Sequence, residues 1–195
     1  ICVFCGSSMG YRAEYISAAK ELGLLFAKNG IGLVYGGANV GLMKVIADTM
    51  LLKGAEVIGV MPNHLVEKEV AHAELTEMII VDTMAERKDQ MVKLSDGFIA
   101  LPGGFGTIDE LSEILTFNQL RICDKPLGIL NISGYFDHLL KFYDHAVQEG
   151  FVRKEHRENL IVSENISDLM QLMQQYKPLA MGKWIEDILD ESNHL

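Results

Sequence analysis

Long apolar runs are missing from this sequence: nothing in it approaches the roughly 18 consecutive apolar residues that a membrane-spanning helix needs. Cysteine is scarce. Three in 195 residues is an odd, low count that excludes a disulfide framework and fits a reducing, cytoplasmic setting. With only 4 prolines there is no Pro/Ser-rich linker, nor is there an internal repeat or a low-complexity tract. Positive charge is in deficit, 17 Lys and Arg against 27 Asp and Glu, for a net charge of −10. General binding to nucleic acid or to an anionic membrane needs a basic face and is excluded as a primary role. An anionic small molecule would need backbone amides and a few placed cations. No basic stretch leads into an apolar run at the start, so no secretory leader is expected within the sequence.

What is present is ordinary for a folded globular protein: 49% apolar and 23% charged residues. The length predicts one domain over 1–195, long enough to bury roughly 70% of its unfolded surface. Short β-rich runs alternate with amphipathic stretches. Strands are predicted at 1–5, 32–35, 56–61, 77–81, 97–101, 127–130 and 160–162. Helices are predicted at 13–29, 41–53, 84–95, from 105 to about 121, at 136–149 and at 166–176. In the first of these helices Ile16, Ala19, Leu22 and Phe26 recur at helical spacing before Gly30, and Pro62 is expected to stop the third strand. Strands separated by helices imply right-handed crossovers, hence a doubly wound α/β fold with a parallel sheet covered on both faces. Cys2 and Cys5 have C-x-x-C spacing, but on one strand they point to opposite faces and make neither a metal site nor a disulfide. The acidic end, Glu186 to Glu191, reads as a solvated helix face or a frayed tail.

In such sheets ligands bind at the carboxyl ends of strands. Glycines gather there: Gly6 after the first strand, Gly36 and Gly37 after the second, Gly103, Gly104 and Gly106 after the fifth. Each loop alone reads equally well as a tight turn; three on one edge favour a phosphate-bearing ligand. Two familiar fingerprints fail. Gly36 to Gly41 has P-loop spacing but continues with Leu42 and Met43, and Asp109 stands where a dinucleotide loop needs its third glycine. A mononucleotide or sugar phosphate fits better.

The most informative stretch is Pro102-Gly103-Gly104-Phe105-Gly106-Thr107-Ile108-Asp109-Glu110. Its glycines and the Thr107 hydroxyl suit phosphate. Thr107 and Glu110 also have the T-x-x-E spacing of a capping box, which needs no chemical role. A carboxylate beside a phosphate requires a cation or distance, and Arg87 and Lys88 are the candidates, with a solvated helix surface as the competing reading. His138 and His145 lie about 10 Å apart along a helix, and His64 and His72, among Glu67, Glu69 and Glu74, have no ligand spacing, so no metal site is predicted.

The stretch 102–110 is similar to the PGGxGTxxE signature of the LONELY GUY (LOG) proteins, the cytokinin riboside 5′-monophosphate phosphoribohydrolases, long mislabelled as possible lysine decarboxylases. The likeness extends to Cys5-Gly6-Ser7-Ser8, to Tyr35-Gly36-Gly37 with Gly41-Leu42-Met43, to Met84 with Glu86-Arg87-Lys88, and to Asp124-Lys125-Pro126. Lys44 departs from the glycine that many members carry. The resemblance implies a Rossmann-like homodimer that hydrolyses the N-glycosidic bond of an adenosine 5′-monophosphate, often N6-substituted, to free base and ribose 5-phosphate, without metal or organic cofactor. It implies Arg87 and Glu110 as catalytic residues. Substrate contacts are implied for Glu69, Met84, Lys88, Gly103, Gly104, Phe105, Gly106, Thr107, Ile108, Asp109 and Thr116. A carboxylate suits an oxocarbenium-like transition state, and a fork-shaped, permanently charged arginine can hold substrate oxygens or offset that carboxylate. Two other readings compete. One is a nucleotide-binding or sensing module without turnover. The other is lysine decarboxylation, which needs pyridoxal phosphate on a buried lysine, and no lysine stands out for it.

Overall fold

The computed structural model describes residues 1–66 and 71–179. In chain order these form β1 (Cys2–Phe4), α1 (Ala13–Lys28), β2 (Leu33–Tyr35), α2 (Gly41–Leu51), β3 (Val57–Pro62), α3 (Asn63–Val66), β4 (Glu77–Val81) and α4 (Met84–Lys93). There follow β5 (Phe98–Ala100), α5 (Phe105–Gln119), β6 (Leu127–Leu130), a 3₁₀ turn (Ile132–Gly134), α6 (Asp137–Gln148), α7 (Lys154–Glu158), β7 (Ile161–Ser163) and α8 (Ile166–Gln174). All seven strands pair in parallel, in the order β4-β3-β2-β1-β5-β6-β7. This is the doubly wound α/β fold predicted. Among the described residues no helix is long and apolar enough to cross a membrane.

The central strands are buried along their whole length, because helices cover both faces of a parallel sheet. Val3, Cys5, Leu33 and Tyr35 face the layer of α1, α2 and α8, packing on Leu22, Phe26, Ile46, Met50 and Leu169. Cys2, Phe4, Val34 and Phe98 face the layer of α4, α5 and α6, packing among Met91, Leu111, Ile114 and Phe136. Cys2 and Cys5 therefore sit on opposite faces, both as free thiols. Helix α1 ends as its sequence predicts. Gly30 takes φ +66°, its N–H reaches the Ala27 carbonyl and the Ile31 N–H reaches that of Phe26, a Schellman closure.

Element ends fall within one or two residues of the predicted ones. Pro62 is the last residue of β3, opposite Val81, rather than the residue that follows the strand; at a ladder's end a missing N–H is tolerated. The short α3, the 3₁₀ turn and α7 were not predicted, since four or five residues carry no readable period. The acidic end at 186–191 and Glu69 lie outside the described residues.

Candidate active site

The strand order reverses at β1, with β2 on one side and β5 on the other. The loops after β1 and β5 part there and open a crevice at the carboxyl edge of the sheet. Backbone bonds fix them: the Gly6 N–H donates to the Pro102 carbonyl at 3.0 Å, and the Gly6 carbonyl accepts from the Leu42 N–H at 3.0 Å. The start of α2 is pressed onto the first loop. Gly41 has φ +57°, and a Cβ there would lie 2.3 Å from the Ser7 carbonyl carbon.

Helix α5 begins at this crevice, with Gly104 as N-cap and no side chain capping it. Its first internal bond runs from the Ile108 N–H to the Gly104 carbonyl, which leaves the amides of residues 105–107 directed out of the helix end. The Thr107–Glu110 capping box does not form. Thr107 is already inside the helix, buried beneath the loop, and a Cβ on Gly103 would come 2.1 Å from its Oγ1. The box of this kind belongs to the preceding helix. There the Thr83 hydroxyl accepts from the Glu86 N–H at 3.1 Å, and the Glu86 carboxylate reaches back to the Asp82 N–H at 3.0 Å.

Freed from capping, Glu110 is buried and accepts from Arg87 Nη1 at 2.9 Å. Arg87 is held from three sides. Its Nε donates to the Val60 carbonyl at 3.1 Å, Nη1 meets Glu110, and a Cβ at Gly36 would lie 2.3 Å from Nη2. Side-chain exposure is 12% for Arg87 and 10% for Glu110, so this pair is sheltered yet open to the crevice. Burial pushes the Glu110 carboxyl above its ordinary value, and the Arg87 charge and hydrogen bond hold it back only in part. Burial, reinforced by Glu110, also drives the neighbouring Cys5 thiol far up, which disfavours its thiolate.

The crevice, of about 190 Å³, is lined by Arg87, Glu110, Gly104, Phe105, Gly106 and Thr107 together with Gly6, Ser7, Gly36 and Met43. The other predicted residues stand around it. Gly103 lines an adjoining cavity beyond the loop, with Ser8, Tyr15 and Tyr135. Lys88 turns to the outside of α5, 2.9 Å from Glu113 and 3.3 Å from Asp109. The hydrogen bond it donates to Glu113 is the main cause that raises its pKa. Ile108 is half-buried against the α4–α6 layer, and Met84 is exposed at the start of α4. Thr116 lies about 9 Å along α5 from Glu110 and is turned about 120° away. It faces a separate cavity of about 180 Å³ with Ser112, Tyr143 and His156, and its hydroxyl donates to the Ser112 carbonyl. Lys44, the departure from the family pattern, is taken up by Asn39 and Asp48 at the surface. His72 is a satisfied core histidine bonded to Asp48. Met43 entered the sequence reading only through the failed P-loop match and the family likeness, and Tyr135, which follows no chemical spacing, did not enter it at all.

Fold and crevice together define a Rossmann-like protein with an anion-ready helix end above a buried Arg–Glu pair. The family described as "possible lysine decarboxylase" matches residues 43–173, and the chain belongs to that family. A rice (Oryza sativa subsp. japonica) protein named probable cytokinin riboside 5′-monophosphate phosphoribohydrolase is 47% identical over 90% of this chain and 79% of its own length. An Arabidopsis thaliana cytokinin riboside 5′-monophosphate phosphoribohydrolase is 44% identical over 91% of this chain and 84% of its own. Among solved structures, the molybdenum cofactor binding protein of Rippkaea orientalis superposes with a TM-score of 0.66 over 89% of this chain and 94% of that one. At 22% identity that likeness is one of fold alone.

Proposed function

We propose that this chain is a single-domain nucleoside 5′-monophosphate phosphoribohydrolase of the cytokinin-activating type, with Arg87 and Glu110 as its catalytic residues. The observation that carries this reading is the sheltered Arg87–Glu110 contact at the foot of an uncapped, glycine-rich helix start. The 5′-phosphate sits on the amides of residues 105–107, where the helix dipole favours an anion. C1′ of the ribose then faces the Glu110 carboxylate. As the C1′–N bond breaks, its electron pair leaves with the base and positive charge develops on the sugar. Glu110 stabilises that charge and takes a proton from the water whose oxygen bonds to C1′, giving ribose 5-phosphate; the departing base gains a proton from solvent, and Glu110 gives its own back to solvent, so that neutral base and ionised Glu110 result. Arg87 favours the ionised form of Glu110 against the effect of burial and holds substrate oxygens with its remaining N–H groups. Lys88, Met84, Ile108, Asp109, Thr116 and Glu69 enter this reading through the resemblance rather than through the crevice.

Lysine decarboxylation has no footing in the side chains. Among the described residues no lysine is buried, and Lys88 and Lys125 are engaged, by Glu113 and by the Val92 carbonyl. A homodimer and a cytoplasmic location belong to the same proposal. Supporting the dimer, Met84 and Leu94 on the α4 side and Phe105, Leu120 and Ile122 around α5 expose large apolar surface. The test is product analysis after chelator-treated protein meets AMP, N6-isopentenyl-AMP and adenosine. Free base and ribose 5-phosphate are expected from both nucleotides, with adenosine cleaved far more slowly. Equal rates on AMP and adenosine, or a strict need for added metal, would overturn the reading.

A further inference from the structure

The chain after β6 is built as a rigid platform. Asn131 is buried; its N–H donates to the Ser163 carbonyl at 2.8 Å, its side-chain amide donates to Asp137 at 2.8 Å and its Oδ1 accepts from the Phe136 N–H at 2.7 Å. Ser133 is driven to φ 53° and Gly134 to φ 69°, a left-handed pair that a serine adopts only where its surroundings dictate it. The turn delivers Tyr135 over the loop that follows β5. The Tyr135 ring is wedged edge-on between Tyr15 and Phe136, with centroids 5.7 Å and 5.0 Å away. Its hydroxyl donates to the Gly103 carbonyl at 2.5 Å.

That carbonyl belongs to the peptide whose N–H is carried by Gly104. In a planar trans peptide the two groups point in opposite directions. The carbonyl is drawn toward Tyr135 in the adjoining cavity, so the Gly104 N–H is directed to the opposite side of the peptide; Gly104 itself stands between the two cavities and lines both. A peptide between two glycines rotates with little steric hindrance, and nothing lies within 4 Å of where a Gly104 Cβ would be. A rotated peptide would present a carbonyl oxygen to an incoming phosphate and repel it.

We propose that Tyr135 is a positioning residue for the phosphate site: its hydroxyl latches the Gly103–Gly104 peptide with the Gly104 N–H toward the crevice. The bond it makes also polarises that amide and strengthens the N–H as a donor. This rests on the phosphate reading of the α5 helix start given above.

The test compares Tyr135→Phe, which keeps both ring contacts, with the wild-type protein. Loss of the latch should raise KM for AMP about three- to thirtyfold, the worth of one hydrogen bond to an anion, while kcat stays within about twofold. Inhibition by ribose 5-phosphate should weaken by the same factor, and inhibition by adenine should not change. The rise in melting temperature that ribose 5-phosphate gives the wild-type protein should shrink in the variant, a readout that needs no turnover. Unchanged KM together with unchanged ribose 5-phosphate binding would overturn the latch, as would a fall in kcat at constant KM or an equal weakening toward adenine. A wild-type protein indifferent to the 5′-phosphate would instead overturn the underlying phosphate reading, and the two failures are told apart by which protein shows them.

Discussion

Asp48 and Glu110 each accept a hydrogen bond at 2.9 Å, from His72 and from Arg87, yet their acidities move in opposite directions. At Asp48 burial would raise the pKa, but its side chain is 38% exposed and the bonds from His72 and Lys44 together bring it below the ordinary value. The Glu74 N–H donates to His72 Nδ1, so the ring proton sits on Nε2 and points at Asp48. At Glu110 the side chain is only 10% exposed, and burial outweighs a permanent cation. Partner distance alone therefore says little about role. A carboxylate open to water and doubly bonded is settled. One kept dry beside a fixed cation, with a crevice in front of it, is poised.

The sharpest way to break the comparison is to neutralise each carboxylate in turn. Glu110→Gln should lower kcat on AMP by about 10²–10⁴, as for a lost acid–base group. Its melting temperature at pH 7 should equal or slightly exceed that of the wild type. A raised pKa in the folded state means that folding binds a proton more readily, so ionising Glu110 works against the fold as pH rises through that pKa, and glutamine mimics the favoured neutral form. Near-normal turnover would reduce Glu110 to a packing residue. Arg87→Ala should cost a similar factor with the fold retained. Arg87→Lys should recover only part, because it keeps the charge and loses the fork that spans Val60, Glu110 and the crevice.

A gentler probe is pH. Turnover that needs ionised Glu110 should fall on the acid side with a midpoint above the ordinary value of 4.5. In an Arg87→Ala protein with measurable residual activity, that midpoint should move further up, since the group holding it down is gone. A midpoint at or below 4.5 in the wild type would contradict the burial argument. Gly36→Ala attacks the same pair from behind. Its Cβ would sit 2.3 Å from Arg87 Nη2, so the guanidinium must shift, and kcat should fall by about tenfold or more. The smallest effect belongs to Asp48→Asn. Activity on AMP should stay within about twofold, and chemical denaturation at pH 7 should show a loss below about 1 kcal/mol, the range of an exposed pair. Because the Asp48 pKa is lowered on folding, its contribution is present above the unfolded value and fades as pH falls through the folded one.

The alternation of strand and helix was legible because each long element repeats its own period, and the glycine loops were legible because their strands end where the glycines begin. The signature 102–110 also located the crevice. The role of Thr107 and Glu110 was not decidable from spacing. T-x-x-E is a capping box only if its threonine is the N-cap, and the helix starts three residues earlier than that reading needs. The same spacing at Thr83 and Glu86 is the one that caps. Lys88 neighbours Arg87 in sequence yet turns about 100° away on the helix, enough to exchange the crevice for the carboxylates outside it. Tyr135 was invisible because its position depends on a bond across 32 residues and on a left-handed serine that no local pattern announces.

The reversal of strand order also sets when the site comes into existence. β4 lies at one edge of the sheet and β5 next to β1, so the segment carrying Arg87 must travel back past β3, β2 and β1 before the chain resumes. A growing chain that has completed four strands and the helix after them already owns Arg87, but the carboxylate it meets lies 23 residues further on, in the first helix of the second half. Until that half docks the crevice has a single wall, and the Arg87–Glu110 pair has not formed. The seam between β1 and β5 is thus an interlock: competence arrives together with assembly, and a chain divided at that seam would be silent in pieces and active only when rejoined.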